Sequence, residues 1–370
     1  MDIEEFTLER IQSLYENTVE LNLSDSGVHP MSLRDLLTDD DLNEVQSLEL
    51  GYGWTNGEVS LRETIADLYV GRGADDIIVT NGSAEANFLM VMSLLDKGDE
   101  IVVLTPNYLQ IFGWARALGV EVKVVEHDGD NDWQPDLTAL EAAVTPATKL
   151  ITICHPNNPT GAVLNAEGMR KVVDIAAKHG AYLHADEVYK GSELDGLECE
   201  SFADLYDNAI VTNGLSKAMA LPGLRIGWLA GKADDIYRAW QRKDYTSITT
   251  SAISEYVAER VLKPALRRKV LDRSKSILNE NLALLSGWID ANADRVSLIP
   301  PKAGGMAFVR YHFEANSTEL VHRLREEKGV LLLPGDVYGM DGYFRVGIGS
   351  PKSHLEPGLE RISDYFSANY

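Results

Sequence analysis

Short apolar runs alternate with helical patterns through the middle of the chain. Residues 77–80, 100–104 and 149–154 are typical of strands, and residues 84–95 are typical of a helix. Because these runs are apolar on both faces, helices should cover both sides of the sheet that they form. The pattern therefore predicts an α/β fold with a mostly parallel sheet flanked by helices. It continues through further predicted strands and helices at 109–118, 120–126, 166–178, 181–185, 209–212 and 224–230.

The pattern changes after about residue 265, where strands and helices no longer alternate regularly. The predicted elements there indicate a smaller α+β domain. We expect an N-terminal arm that joins part of this small domain (residues 1–45), a large domain (46–265) and a small C-terminal domain (266–370). The elements predicted for the last segment are helices at 266–291, 318–327 and 355–366, and strands at 296–299, 306–311, 330–333 and 344–349.

The charge of the chain is strongly acidic and is spread along the sequence. The 370 residues include 57 Asp and Glu against 34 Lys and Arg, which gives a net charge of -23. An acidic surface of this kind disfavours nonspecific binding to nucleic acid or to an anionic membrane. Two explanations remain open, which are ordinary solubility and adaptation to high salt.

The cysteine content and the chain start indicate the compartment. Cys154 and Cys199 are the only cysteines, so the sequence predicts no disulfide framework and no zinc or other metal site. No apolar run approaches the roughly 20 residues that span a bilayer. The first six residues are acidic and lack the basic segment of a secretory signal. We therefore expect a cytoplasmic protein with no membrane partner.

Six short motifs occur in a fixed order along the chain. Each of them is weak alone, but in this order and spacing they resemble the class I and II aminotransferases, which are aspartate aminotransferase-like pyridoxal-phosphate enzymes of fold type I. The resemblance extends from about Gly27 to the C-terminal helix. The motifs are Asn81-Gly-Ser-Ala84, Pro106-Asn-Tyr108, Asn157-Asn-Pro-Thr-Gly161, Ala185-Asp-Glu-Val-Tyr189, Leu215-Ser-Lys217 with Arg225 eight residues on, and Phe344-Arg345.

Two residues of these motifs suit the reactive part of the cofactor pyridoxal 5'-phosphate. A lysine whose pKa is lowered by burial can form a Schiff base with an aldehyde. The resemblance implies that Lys217 is this lysine and that it also moves the substrate proton. Asp186 ends an apolar strand, where a carboxylate is costly unless it is paired. The resemblance assigns Asp186, rather than the adjacent Glu187, to the protonated pyridine nitrogen.

The resemblance also assigns the remaining contacts to the cofactor ring. It implies that Tyr189 and Asn158 reach the phenolic oxygen and that the aromatic ring of Tyr108 stacks on the pyridine face. In the family, the tyrosine equivalent to Tyr52 crosses to the phosphate of a neighbouring subunit. The working unit is therefore expected to be a homodimer with shared active sites.

The phosphate needs hydrogen-bond donors and positive charge. Gly82, Ser83 and Ala84 follow a predicted strand and open a predicted helix, so their backbone N–H groups favour an anion. Arg225 supplies a bidentate cation. Many relatives carry a serine three residues before the lysine, but this chain has Gly214 there. Thr212 or Ser216 could replace that serine, and Ser216 is included among the predicted cofactor ligands.

The substrate contacts follow from the last motif. The resemblance implies that Arg345, assisted by Asn158, binds the α-carboxylate of the substrate, with Gly27 allowing close backbone approach nearby. Arg242 and Lys243 lie roughly where a partner-subunit arginine binds a distal carboxylate in some relatives. This leads to the hypothesis that one of them contacts an acidic substrate group.

The leading hypothesis is an aminotransferase that moves an amino group from an amino acid to a 2-oxo acid by a ping-pong Schiff-base route. A lyase or a capreomycidine synthase-like amino-acid cyclase would use the same residues and stays open. A non-catalytic sensing module is disfavoured, because residues 1–45 are too short and too acidic for a DNA-binding domain. A nicotinamide dehydrogenase is disfavoured because no G-x-G-x-x-G follows a strand.

Overall fold

The computed structural model describes residues 3–370. Within them, every helix is too short or too polar to cross a membrane. The helices are α1 Thr7–Tyr15, α2 Leu33–Leu36, α3 Asp39–Ser47, α4 Val59–Ala66, α5 Ser83–Leu94, α6 Gln110–Leu118, α7 Leu137–Ala143, α8 Ala166–His179, α9 Phe202–Leu205, α10 Ala233–Lys243, α11 Ala252–Leu262, α12 Pro264–Ala291, α13 Ser317–Lys328 and α14 Lys352–Asn369. The strands are β1 Leu21–Asn22, β2 Ile77–Asn81, β3 Glu100–Thr105, β4 Glu121–Asp128, β5 Gln134–Pro135, β6 Thr148–Cys154, β7 Tyr182–Asp186, β8 Ala209–Gly214, β9 Ile226–Ala230, β10 Val296–Leu298, β11 Met306–Tyr311, β12 Val330–Leu331, β13 Leu333–Pro334 and β14 Tyr343–Gly347.

The larger sheet has eight strands in the order β2-β9-β8-β7-β6-β3-β4-β5. The five central strands from β8 to β4 pair in parallel, whereas β9 and β5 run antiparallel to their neighbours. Alternate residues of β3 enter different cores, since Val102 and Leu104 belong to one apolar cluster and Ile101 and Val103 to another. Helices therefore cover both faces of the sheet, and the predicted α/β fold is confirmed.

The smaller sheet has four antiparallel strands in the order β10-β11-β14-β13. Its apolar core also contains residues from the start of the chain, including Leu8 and Ile11 of α1. The separate strand β1 pairs in parallel with β12, which joins residue 21 to residue 330. The segment from residue 3 to residue 30 thus packs against the last 70 residues, and this brings N-terminal side chains to the boundary between the two sheets.

One predicted strand divides into two. Residues 330–333 were expected to form a single strand, but β12 pairs with β1 while β13 pairs with β14 of the four-stranded sheet. Leu332, between them, is fully buried. The apolar run correctly indicated burial. It could not indicate the change of partner, because hydrophobicity alone does not specify which strand a residue pairs with.

The carboxyl ends of several strands meet at one edge of the large sheet. β2, β3, β6, β7 and β8 all run in the same direction. The loops that follow them carry five of the six motifs. In open α/β sheets this edge is where ligands bind.

Candidate active site

A cavity of about 400 Å³ opens at this edge, between the two sheets. Polar side chains from the large sheet meet Arg345 of β14 there, together with residues of α1. The predicted residues that line the cavity are Ser83, Ala84, Tyr108, Asn158, Asp186, Tyr189, Ser216, Lys217, Arg225 and Arg345. The six motifs, which are far apart in the sequence, therefore contribute to one space.

Lys217 lies in the loop after β8, and 30% of its side chain is exposed. Its Nζ donates to Ser26 Oγ at 3.0 Å and lies 3.5 Å from Asp25 Oδ1. Burial raises the pKa of Asp25, but the Lys217 ammonium and the Gly27 N–H outweigh that effect and hold the pKa below its ordinary value. Asp25 and Ser26 were not predicted from the sequence.

Asp186 is the last residue of β7 and is buried, with 8% exposure. It accepts long hydrogen bonds, both 3.3 Å, from Asn87 Nδ2 and the Val188 N–H. Burial raises its pKa to about 6. Within residues 3–370, no Lys, Arg or His nitrogen lies within 4 Å of this carboxylate. It therefore suits a positively charged ring nitrogen that enters from the cavity.

Glu187 points away from the cavity. Its carboxylate accepts from Ser201 Oγ at 2.9 Å and from the Phe202 N–H at 2.8 Å. Burial raises its pKa to about 8. Of the adjacent pair, only Asp186 borders the cavity.

The raised pKa of Glu187 predicts a pH-dependent stability. In the unfolded chain this carboxyl ionises near its ordinary pKa of about 4.3, so between about pH 5 and pH 8 the folded state holds a proton that the unfolded state has lost. The contribution of Glu187 to the free energy of unfolding is therefore full below about pH 4. It falls as the pH rises from there through about 8 and is lost above that pH. We expect Glu187→Gln to remove this component in urea unfolding from pH 5 to pH 9. Glu5→Gln, at an exposed position, should keep this pH-dependent component. If the free energy of unfolding of wild type and of Glu187→Gln changed with pH in parallel, the assignment would be contradicted.

An anion site lies where α5 begins. Gly82, with φ +82°, precedes the helix, and its backbone lies so close to the Arg225 guanidinium that a Cβ would clash with it. Arg225 itself has a left-handed backbone with φ +53°, a strain that folded proteins retain mainly at functional sites. The first N–H groups of α5 have no partner within the helix. A helix N-terminus beside an arginine is suited to a phosphate group.

Many relatives have a serine where this chain has Gly214, and the two residues that could replace it, Thr212 and Ser216, lie in different surroundings. Thr212 is buried in β8, where its Oγ1 is 3.0 Å from His184 Nε2. Ser216 borders the cavity. The structure thus leaves Ser216, and not Thr212, available to a ligand in the cavity.

Arg345 is 1% exposed, and its guanidinium is held on several sides. Nη1 donates to Asn158 Oδ1 at 2.9 Å and to Tyr338 OH at 2.7 Å, while Nη2 donates to Ser24 O. Its Nε has no hydrogen-bond partner among residues 3–370. A buried donor without a partner is costly, so this end of the cavity suits a carboxylate.

The two tyrosines of the site are anchored by N-terminal residues. Tyr189 OH donates to Ser26 Oγ at 2.8 Å, and Tyr108 OH donates to Glu9 Oε1 at 2.6 Å. Gly27 follows Ser26, and a Cβ there would lie 3.2 Å from Ser216 O, so the chain passes close to the loop that carries Lys217.

Tyr52, Arg242 and Lys243 lie outside the cavity of their own chain. Tyr52 is 90% exposed. Lys243 is buried and donates to Thr55 O at 2.7 Å, and Arg242 Nε donates to Met92 O. Their predicted roles involve a second subunit and remain predictions.

Comparison with known proteins identifies the family. Residues 36–362 match the family described as aminotransferase class I and II. The chain belongs to this aminotransferase family. A PLP-dependent aminotransferase from Streptococcus suis has the same fold, with a TM-score of 0.93, 34% identity and coverage of 100% of this chain and 99% of that one. The protein is therefore a fold type I enzyme that transfers amino groups.

Two curated relatives of this aminotransferase carry different names. Capreomycidine synthase from Streptomyces vinaceus is 29% identical over 93% of this chain and 89% of its own length. Aspartate aminotransferase from Thermotoga maritima is 28% identical over 88% of this chain and 85% of its own length. The family implies pyridoxal phosphate, and the donor set fits it: Asp186 lacks a cation, Gly82 leaves room beside Arg225, and Lys217 is within the same cavity.

Proposed function

We propose that this aminotransferase binds pyridoxal 5'-phosphate through Lys217 and moves an amino group from an amino acid to a 2-oxo acid by a ping-pong route. The observation that carries the proposal is the distribution of charge in one cavity. Asp186, Lys217, Arg225 and Arg345 all border it, and each matches a different group of the cofactor or the substrate. When bound, the cofactor supplies an aldehyde and a ring that stabilises negative charge at the substrate α-carbon.

Lys217 has two roles in this proposal. Its amine would hold the cofactor aldehyde, and its Nζ would carry the α-proton of the substrate. Ser26 Oγ, 3.0 Å from Nζ, is positioned to hold the amine at the centre of the cavity. Asp186 keeps the ring nitrogen protonated because a buried carboxylate without a cation favours a positive partner.

The remaining predicted ligands orient the two molecules. Ser83, Ala84, Ser216 and Arg225 hold the phosphate, and Gly82 gives it room. Tyr189 and Asn158 serve the phenolic oxygen, and Tyr108 covers the ring. Arg345 binds the substrate α-carboxylate with its unpartnered Nε and its Nη groups, and Asn158 and Gly27 complete that end.

We further propose that two copies of the chain form the working unit. Large apolar side chains are exposed around residue 52, and Thr55 connects them to the end of α10 because it bonds Trp240 Nε1 and Lys243 Nζ. An exposed patch of this kind is typical of an interface. Its members are Leu50, Tyr52, Trp54, Val59, Tyr245 and Ile248.

We expect light scattering to give a mass of about twice the 40.8 kDa of the chain. The double variant Trp54→Asp, Tyr245→Asp should weaken self-association about 30-fold or more, because buried aromatic residues dominate interfaces. Leu197→Asp is the control, because Leu197 lies outside the patch and is as exposed as Leu50 within it. A monomer at micromolar wild-type concentration would contradict the proposal.

The reaction type is tested by supplying and withholding an acceptor. With an amino donor and a 2-oxo acid we expect continuous formation of the donor's oxo acid and a borohydride-sensitive coenzyme band. Without the acceptor, formation should stop after one equivalent per site. Ammonia released continuously without an acceptor would show a lyase instead.

A cyclase is the second candidate, and the similarity to capreomycidine synthase supports it. It predicts a ring-closed amino acid as the product and no consumption of an oxo acid. Mass spectrometry of the same two reactions distinguishes it from transfer.

A further inference from the structure

The proposed function leaves part of the cavity's charge without a partner. Arg225 matches the phosphate, Asp186 the ring nitrogen, Arg345 the α-carboxylate and Lys217 the aldehyde. Glu9 also borders the cavity and matches none of these groups. Among residues 3–370, the one hydrogen bond of its carboxylate is the bond that it accepts from Tyr108 OH.

Two further carboxylates belong to the same N-terminal segment. Asp25 lies beside Lys217, and Glu16 immediately follows α1. Burial and the charges of Asp25 and Glu9 raise the pKa of Glu16, so the three carboxylates are close enough to repel one another. Among residues 3–370, Lys217 is the only cation within 4 Å of any of them.

Of these three carboxylates Glu9 lines the cavity, and that cavity also has a fixed carboxylate anchor. Arg345 is fully buried beside the N-terminal segment, where it donates to Ser24 O, and its Nε has no partner among residues 3–370. Gln12, from the same helix as Glu9, lines the cavity and donates to Ser24 O, the oxygen that also accepts from Arg345. An amino acid held by Arg345 therefore occupies a space whose α1 side is negatively charged.

We propose that the amino donor carries a cationic side chain, either an ammonium or a guanidinium, which Glu9 binds at the cavity wall while Glu16 and Asp25 add negative charge nearby. The inference rests on the proposed function. A cation relieves the repulsion among the three carboxylates. It competes with the hypothesis of an acidic donor contacted by Arg242 or Lys243 of a second subunit, and the test distinguishes the two.

The test compares two ligands that can bind at the coenzyme but cannot lose an α-proton. 2-Methylornithine and 2-methylnorvaline share a carbon skeleton and lack the α-proton, and only the first has a terminal ammonium. We expect the wild-type enzyme with its coenzyme to bind 2-methylornithine at least about tenfold more tightly, measured by the coenzyme absorbance and by calorimetry. Glu9→Gln and Glu16→Gln should each reduce that ratio to about threefold or less. Glu5→Gln, an exposed carboxylate outside the cavity, should leave it unchanged.

The outcomes separate this inference from the proposed function. Equal affinity for the two ligands, or tighter binding of 2-methylaspartate, overturns the cationic donor while amino transfer stands. Variants that keep the wild-type ratio overturn the assignment to Glu9 and Glu16. A wild-type chain that gives no coenzyme band overturns the proposed function and this inference together. Thermal melting and the coenzyme band verify that each variant is folded.

Discussion

Replacing Lys217 by alanine is expected to lower the turnover number about 10⁴-fold, the upper range for loss of a positioned acid–base group. The expected loss is large because this one amine both binds the aldehyde and carries the α-proton. Its position supports both roles, since Nζ lies between Ser26 Oγ and Asp25 Oδ1 inside the cavity. The measurement is the steady-state rate with an amino donor and a 2-oxo acid, together with the coenzyme absorbance before and after borohydride.

The control must show that the loss arises from the amine. Lys352→Ala removes an exposed lysine on α14 and should retain the wild-type rate and the borohydride-sensitive band. Lys217→Ala should still fold and still bind the coenzyme phosphate reversibly, because Arg225 and the start of α5 are unchanged. A Lys217→Ala variant that keeps a tenth of the wild-type rate is incompatible with the proposed role.

The fold was predictable where a segment's own hydrophobicity determines its place. β11 was predicted at residues 306–311 and forms Met306–Tyr311, and the helix predicted at 266–291 begins two residues earlier as α12. Both have continuous apolar positions that must be buried. The predicted elements omitted α10 and α11, and the strand at 330–333 proved to be two. The division of the strand depends on partners distant in the sequence, whereas α10 is amphipathic and could have been predicted from its own pattern.

The candidate site shows the same division between local and distant information. The motifs at strand ends could be assigned to one edge because parallel strands end together. Ser26 and Asp25 could not be assigned to the site in this way. They contact Lys217 across 191 and 192 positions of sequence, because the N-terminal segment packs against the loop that carries it. Asn87 was accessible to sequence reasoning. It lies four residues after Ser83 on α5, so both occupy one helix face, and it is a polar residue in an apolar helix.

Asp186→Asn is expected to lower the turnover number about 10²- to 10³-fold, the range for losing one preorganised electrostatic contact. The amide keeps the shape of the carboxylate, but its single oxygen can accept from only one of the two present donors, the Asn87 amide or the Val188 N–H. It also removes the negative charge, so the ring nitrogen loses the group that keeps it protonated. Exposed Asp174→Asn on α8 is the matched control, and its rate should equal that of the wild type.

A coenzyme analogue methylated at the ring nitrogen separates the electrostatic role from a structural one. Its positive charge is fixed, so it does not depend on Asp186 for protonation and should recover part of the rate in Asp186→Asn. In the wild-type enzyme the analogue should not raise the turnover number, because the buried carboxylate already keeps the ring nitrogen charged. If Asp186→Asn acted only by disturbing β7, the analogue would restore nothing and the melting temperature would fall in proportion to activity. Rescue at an unchanged melting temperature therefore assigns the loss to charge.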